Sequence, residues 1–342
     1  MKRLAVVAVA AAVLGSAAMA GPLKTSSVAG DAKWLAHVDV EAAIRSDIGQ
    51  FVLGEAKKKP GFDLARLAFK KIAGFDPLKD IRGITAYGKE LGSGAVVIDG
   101  TADQQDLLDL VKTIKSHKEL KYGKYVLHQW TDRRRGKTPV GCLYDKDTVV
   151  LADRVELLQN AIDVLDGKAY SMAKTGSLKI LPAPAHGSLM IAAAAGLALP
   201  EKARAHGVLL QKITGAAVQI SEAQGRLSLQ VSLTTKAAED AECIRQIVQG
   251  FVALGKLMKQ HERFKALRDL GEKITVSGEG ATARLDASMP TASVIKVLKH
   301  AAAKAKAAMS RRKGGGHGWE RMMPGKPRKH PSADKGKKKT EQ

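Results

Sequence analysis

The sequence predicts an α+β protein built from a duplicated unit of antiparallel hairpins and helices. Short apolar stretches that alternate with polar residues flank turn residues, which is typical of hairpins. Segments with apolar residues at three- and four-residue steps follow these hairpins and indicate amphipathic helices. The same order of elements occurs in both halves of the chain. We therefore expect two similar repeats, with the helices packed on one face of each sheet.

The chain opens with the pattern of an export signal. Lys2 and Arg3 precede an uncharged apolar run over residues 4–14, which ends at the small-residue triplet 18–20. The run is too short to span a bilayer, for which about 20 apolar residues are needed. We therefore predict a signal peptide over residues 1–20 with cleavage after Ala20. The mature protein is then exported, periplasmic or secreted, without a transmembrane segment.

The first repeat is predicted over residues 31–167, after a short linker over 21–30. A strand, a helical stretch and a hairpin open it, and a capping-box pattern at 101–104 then begins a helix. Three more strands follow, and a second capping pattern at 153–156 begins the last helix of this repeat. Its strands are predicted at 34–40, 81–87, 95–99, 125–130, 139–144 and 148–152.

The second repeat is predicted over residues 187–308, and a linker over 168–186 joins it to the first. Pro182 and Pro184 mark that linker as irregular. The order is the same: a strand, a hairpin, an amphipathic helix, a second hairpin and a final helix after Pro290. Its strands are predicted at 188–194, 216–221, 227–233, 273–277 and 282–287.

The start of the first repeat resembles a known group of proteins. Residues 34–41, with the sequence Trp-Leu-Ala-His-Val-Asp-Val-Glu, and the stretch 44–53 are similar to the opening of uncharacterised exported proteins of Planctomycetes and related bacteria. The resemblance covers mainly this opening and the duplicated layout. It implies export and an α+β fold, and it brings no established activity or catalytic residue.

The formal net charge of +22 at pH 7 favours contact with anionic partners. For an exported protein these partners are anionic envelope polymers or a membrane surface, and nucleic acid is not expected. One candidate contact is a predicted hairpin tip formed by Arg133, Arg134, Arg135 and Lys137. The alternative is a solvated loop whose charge protects a sheet edge, and the low aromatic content of 4% favours this alternative.

The second candidate contact is the C-terminal end of the chain. From residue 309 onward the sequence loses apolar periodicity and gains glycine, proline and lysine. Such a composition cannot bury enough apolar surface to offset the entropy of ordering, so we predict a disordered basic tail over residues 309–342. The tail residues predicted to contact polyanions are Lys337, Lys338 and Lys339.

One polar pair lies on a predicted strand. His37 and Asp39 are two residues apart, so alternation places both side chains on one face, where they could share a metal ion or a proton. No third ligand is identifiable, and a hydrogen-bonded pair near the strand end explains the pattern without a site. The other histidines show no metal-ligand spacing, so we predict no metal site and no cofactor.

The two cysteines leave two alternatives open. Cys142 lies in a predicted strand and Cys243 in a predicted helix. They are either buried free thiols or a single disulfide between the two halves.

No catalytic residue is predicted, because no catalytic motif occurs with the spacing and context that its chemistry requires. We therefore favour an exported, non-catalytic binding or structural protein that contacts anionic envelope polymers through its basic loops and tail. The alternative is an exported hydrolase or accessory enzyme whose acid and base come from distant parts of the fold. His37 and Asp39 are the pair that this alternative would use.

Overall fold

The computed structural model describes residues 21–101, 104–132, 136–197, 211–257 and 274–314. Within these residues the chain is an α+β protein, as predicted, and its strands form one 12-stranded antiparallel sheet. The predicted signal peptide lies outside the described residues.

The strands are β1 (Trp34–Asp39), β2 (Ile81–Glu90), β3 (Ser93–Gly100), β4 (Lys118–Tyr122), β5 (Tyr125–Gln129), β6 (Val140–Asp145), β7 (Thr148–Ala152), β8 (Ser188–Ala195), β9 (Ile213–Ala223), β10 (Arg226–Thr235), β11 (Ile274–Ser277) and β12 (Thr282–Pro290). The helices are α1 (Val40–Arg45), α2 (Asp47–Lys57), α3 (Phe62–Ala73), α4 (Gln104–Lys112), α5 (Val155–Leu165), α6 (Met172–Thr175), α7 (Ala238–Leu257) and α8 (Thr291–Gly314).

The strand order in the sheet is β11-β12-β10-β9-β8-β1-β2-β3-β7-β6-β5-β4. The strand that opens each predicted repeat therefore lies at the middle of the sheet, where β1 pairs with β8 in antiparallel register, with Leu35 opposite Ala193. From this pair the order runs outward through β2 and β3 on one side and through β9 and β10 on the other. At the far end of the first side, β4 is the terminal strand.

The main core lies on one face of the sheet. Alternation along each strand brings Leu35, Tyr87 and Val97 to this face, and cross-strand pairing continues the layer through Val150 of β7. Helix α5 covers the layer through Leu158 and Ile162, which are fully buried. Each such side chain stabilises the fold by about 1.5–3 kcal/mol relative to an exposed one.

Helix α4 lies over the opposite face. Its Leu107 and Val111 face a cavity whose other wall includes Ile98, Val149 and Leu151, which alternate with the core residues of the same strands. The first half of the sheet thus carries helices on both faces, where we predicted one covered face. The reason is that β3 and β7 are apolar on both sides, so each face must be covered to exclude water.

Helix α8 extends to Gly314, six residues beyond the boundary predicted for the basic tail. Residues 315–342, including Lys337, Lys338 and Lys339, lie outside the described residues. Among the described helices, none combines the length and the apolar character needed to cross a bilayer.

Candidate functional site at the β4–β5 edge

The hairpin formed by β4 and β5 places polar and charged side chains at the terminal edge of the sheet. Its turn consists of Gly123 and Lys124, between the paired residues Tyr122 and Tyr125. Gly123 has a φ of 57°, a left-handed conformation that glycine adopts without steric cost and that two-residue hairpin turns require. The turn therefore fixes the register in which the two strands face one another.

Tyrosine hydroxyls hold this end of the sheet against α5. Tyr122 Oη donates a hydrogen bond of 2.7 Å to Asp163. Tyr125 and Tyr144 both donate to Asp166, at 2.6 and 3.0 Å. Hydrogen bonds to charged acceptors are stronger than neutral ones, so the hairpin is fixed by side chains as well as by its backbone ladder.

Three potential metal ligands meet on the face of the hairpin opposite to these tyrosines. The register pairs Glu119 with His128, and His117 directly precedes β4. His117 Nε2 lies 3.0 Å from His128 Nδ1, and the two rings stack with centroids 5.3 Å apart. Glu119 Oε1 is 3.9 Å from His128 Nδ1, and one ligand atom from each residue falls within 4.8 Å of the others.

The environment favours the neutral form of His128. Burial lowers the pKa of this imidazole below its usual value, and the neighbouring His117 and Lys112 lower it further, while Glu119 opposes them. A neutral imidazole keeps a lone pair on one ring nitrogen, which is the form that coordinates metal ions. The His128 ring is therefore in the ligating form at neutral pH.

An apolar cavity of about 170 Å³ lies next to His128, between α4 and the sheet. Its walls come from Leu107, Leu108 and Val111 of α4 and from apolar residues of the sheet, with Trp130 at the end of β5. Apolar cavities of this size can bind small apolar molecules. Lys146 and Asp147 also line the cavity.

Five lysines follow one another at three-residue steps around this edge. We call them the lysine row: Lys112, Lys115, Lys118, Lys121 and Lys124. All five are exposed. The side chains of the first four form no hydrogen bond or ion pair with a described residue, whereas the Lys124 ammonium lies over the ring of Tyr125 at 5.0 Å. Across residues 112–124 a single carboxylate, Glu119, opposes these charges.

The predicted polar pair His37 and Asp39 lies elsewhere, near the middle of the sheet. His37 Nδ1 is 2.9 Å from Thr85 Oγ1, and its buried Nε2 has no hydrogen-bond partner. Asp39 Oδ1 accepts a 2.9 Å hydrogen bond from the Ala42 backbone and so caps α1. The two side chains share a face, as alternation requires, but they make no hydrogen bond to each other, and neither lines the cavity under α4.

Of the predicted basic tip, only Lys137 is described, and Arg133, Arg134 and Arg135 lie outside the described residues. Lys137 Nζ donates a hydrogen bond of 3.2 Å to the Gly92 carbonyl and lies 3.8 Å from Asp153. Its charge therefore already has a carboxylate neighbour within the fold.

The two cysteines do not form a disulfide. Cys142 is buried in β6 and Cys243 is exposed on α7. Burial raises the pKa of the Cys142 thiol to about 11, so this group stays protonated and unreactive at neutral pH.

Sequence reasoning did not find the His117, Glu119 and His128 cluster because it did not predict β4. The segment Lys118–Tyr122 is too polar to show the apolar alternation of a half-buried strand. A usable signal was present in Tyr122-Gly123-Lys124-Tyr125, because two aromatic residues around a glycine-containing pair are typical of a hairpin. That hairpin alone places Glu119 opposite His128.

Comparison with known proteins shows no matching family model and no matching curated protein. Solved structures of TP0453, a Treponema protein, are similar at a low level. Crystal form III has a TM-score of 0.45 and 6% sequence identity, and the match covers 81% of this chain and 98% of that chain. Crystal form I gives a TM-score of 0.41 and 8% identity, covering 81% and 97% of the two chains. Similarity at this level carries no information on function.

Proposed function

We propose that this chain is an exported, non-catalytic binding protein that contacts anionic envelope polymers through the lysine row. The observation that carries the proposal is the exposure of Lys112, Lys115, Lys118 and Lys121 without an ion-pair partner among the described residues. Exposed like charges raise the local concentration of polyanions and speed their association. The tail residues Lys337, Lys338 and Lys339 would add to the same attraction.

The geometry fits an extended polymer better than a small anion. Lys118 and Lys121 point to opposite faces of β4, so the charges wrap around the free edge and do not converge on one point. A strand rises about 3.3 Å per residue, which separates these two lysines by roughly 10 Å along the edge. Lysines on a terminal strand also discourage edge-to-edge pairing between chains, and this protective role is the structural alternative to binding.

A charge-matched pair of variants tests the proposal. The first replaces Lys112, Lys115, Lys118 and Lys121 with glutamine. The control replaces four other exposed lysines, Lys57, Lys59, Lys70 and Lys71, and so removes the same net charge. Retention of each protein on immobilised lipopolysaccharide is measured from low to physiological salt, with phosphatidylglycerol vesicles as the membrane arm.

We expect the lysine-row variant to lose most of its retention and the control to keep most of it. Retention of the parent protein should weaken with salt, because exposed charges are screened. Equal losses in both variants would show that net charge alone acts, and unchanged retention in the lysine-row variant would overturn the proposal. Binding to the vesicles and not to the polymer would assign the row to a membrane surface.

The cavity under α4 favours a second function, binding of a small apolar group. Its volume of about 170 Å³ matches a short acyl chain or a single ring better than a whole lipid. Octanoate is a suitable probe, because Trp130 lines the cavity and its fluorescence would report entry. Val111→Phe should fill the cavity and abolish the change in fluorescence. No saturable response to octanoate in the parent protein would exclude this function.

The hydrolase alternative has less support. His37 and Asp39 are both buried, and each is used in a local contact, with Thr85 and with the first turn of α1. A general acid or base must reach a substrate within hydrogen-bond distance. Neither group offers an exposed polar atom for that purpose.

We also propose that the sheet arose by duplication of one unit. The order of strands supports this, because β1, β2 and β3 follow one another outward from the centre as β8, β9 and β10 do. The next strand outward comes from later in the chain in both halves: β7 lies beside β3, and β12 lies beside β10. In this correspondence β6 matches β11, whereas β4 and β5 have no counterpart among the described strands. The edge that carries the lysine row is then an addition to the shared unit.

A further inference from the structure

We propose that His117, Glu119 and His128 form a binding site for a divalent transition-metal ion, with Zn²⁺ as the best match. Two imidazole nitrogens and one carboxylate oxygen are the ligand set of many zinc sites that keep an open position. This inference is independent of polyanion binding, since it rests on three other side chains.

The two imidazole nitrogens are close enough to bind one metal ion, once the rings turn so that both lone pairs point at it. Zinc–nitrogen distances are about 2.0–2.1 Å, so nitrogens that lie 3.0 Å apart would subtend roughly 95° at the metal. A tetrahedral angle requires the nitrogens to separate by about 0.3 Å more. Rotation of His117, which is only partly buried, supplies a movement of that size.

Glu119 is positioned to complete the ligand set. It is paired with His128 across the hairpin, and its Oε1 lies 3.9 Å from His128 Nδ1. Its side chain is 51% exposed, so the carboxylate can adjust its rotamer at little cost. With these three ligands, the fourth position is left to water or to an anion.

Without metal, the 3.0 Å contact between His117 Nε2 and His128 Nδ1 is a hydrogen bond in which one ring donates to the other. Metal binding needs a lone pair on both of these nitrogens. The donating ring must therefore move its proton to its other nitrogen, which is a change of tautomer.

The lysine row limits the affinity that we expect of the site for a metal ion. Lys112 acts electrostatically on His128, and Lys121 shares a face of β4 with Glu119, so both repel a cation, while Glu119 is the one carboxylate on residues 112–124. We therefore expect an affinity in the micromolar range, weaker than that of a structural zinc site whose ligands are all anionic thiolates.

Calorimetric titration of the chelator-treated full chain with Zn²⁺ tests the inference. The site variants are His117→Ala, His128→Gln and Glu119→Gln. The control is His186→Ala, which removes an exposed histidine outside the cluster. We expect the two histidine variants to lose one equivalent of bound zinc, Glu119→Gln to bind at least about tenfold more weakly, and His186→Ala to match the parent protein.

A second measurement separates coordination from a change in folding. Zinc should raise the melting temperature of the parent protein by mass action and should leave that of His117→Ala unchanged. Because His117 is partly exposed, this variant should keep its metal-free melting temperature within a few degrees. Equal zinc binding by the parent and both histidine variants, or no binding by the parent, would overturn the site and leave the two rings as a hydrogen-bonded pair.

Discussion

Tyr87→Phe should stabilise this protein, although it removes a polar atom from a buried residue. Tyr87 is 3% exposed in the main core, and its hydroxyl is buried without a hydrogen-bond partner. Burial also raises the pKa of this phenol, so it stays protonated at neutral pH. A buried hydroxyl without a partner costs about 1–3 kcal/mol relative to its hydrated state. Removing it recovers that cost and loses only the packing of one oxygen atom, so we expect a gain of about 1 kcal/mol.

The matched control is Tyr125→Phe, which deletes the same atom in the same core. The Tyr125 hydroxyl donates to Asp166 at 2.6 Å, and that carboxylate has a pKa of about 2 because Lys168, Tyr125 and Tyr144 all donate to it. Hydrogen bonds to charged groups contribute about 1.5–3 kcal/mol when they are buried, and this one is only partly buried. We expect a loss of about 1 kcal/mol, opposite in sign to the effect of Tyr87→Phe.

Urea unfolding at pH 7 measures both effects, with thermal melting as a second readout. For domains of 150–250 residues, 1 kcal/mol corresponds to roughly 2–4 °C in melting temperature. Unchanged urea m-values would show that the variants alter stability and not the extent of unfolding. Destabilisation by Tyr87→Phe of the same size as that by Tyr125→Phe would refute the reasoning, because it would mean that the Tyr87 hydroxyl has a partner in solution.

Three further predictions concern charge. Burial lowers the pKa of His37 below 6.5, so below that pH the unfolded state binds more protons than the folded state. The free energy of unfolding should therefore fall as the pH drops from about 6.5 through the folded-state pKa, by about 1.4 kcal/mol for each unit by which the pKa is lowered. Guanidine unfolding from pH 7.5 to 5 should show a smaller dependence of stability on pH for His37→Gln. Arg66→Met should lower the free energy of unfolding by about 2 kcal/mol, because it leaves Asp76, whose side chain is 4% exposed, without the guanidinium that lowers its pKa. The double variant Arg66→Met with Asp76→Asn should recover part of this stability. No recovery in the double variant would contradict the pairing. Deletion of residues 315–342 removes no described helix or strand and should leave the melting temperature within about 1 °C of that of the full chain. Retention of the shortened protein on lipopolysaccharide at low salt should decrease. A large drop in melting temperature would show that these residues stabilise the fold.

Most of the sheet could be predicted from sequence because its strands alternate. Leu227, Leu229, Val231 and Leu233 mark β10 by this pattern, and the structure has a strand over Arg226–Thr235. The pairing of β1 with β8 could not be predicted, since two strands so far apart in sequence leave no local signal of their contact. The predicted end of β1, residue 40, was one residue too far, because Asp39 caps α1 and Val40 begins that helix.

The candidate site was harder to predict than the fold. Its three side chains come together only through the register of the β4–β5 hairpin, and the first strand of that hairpin is too polar to be recognised from sequence. For His37 and Asp39, by contrast, the sequence predicted a pair that the structure does not form. Alternation correctly placed the two side chains on one face, but His37 contacts Thr85 and Asp39 caps α1. Spacing in sequence therefore identified a shared face, and only the pairing of strands identified which polar groups meet.

The two proposals for the β4–β5 edge are independent in their residues but act on one another through charge. A zinc ion at His117, Glu119 and His128 would add two positive charges to a segment that already carries five lysines against one carboxylate. It would also present an open coordination position, which an anionic group can fill. An anion on the lysine row would in turn reduce the repulsion that the metal meets. Because coupling between two binding equilibria is reciprocal, each ligand should raise the affinity for the other by the same factor. The lysine row then weakens the metal site in isolation and strengthens it when a polyanion is bound, so retention on the polymer should increase with Zn²⁺ in the parent protein and not in His117→Ala.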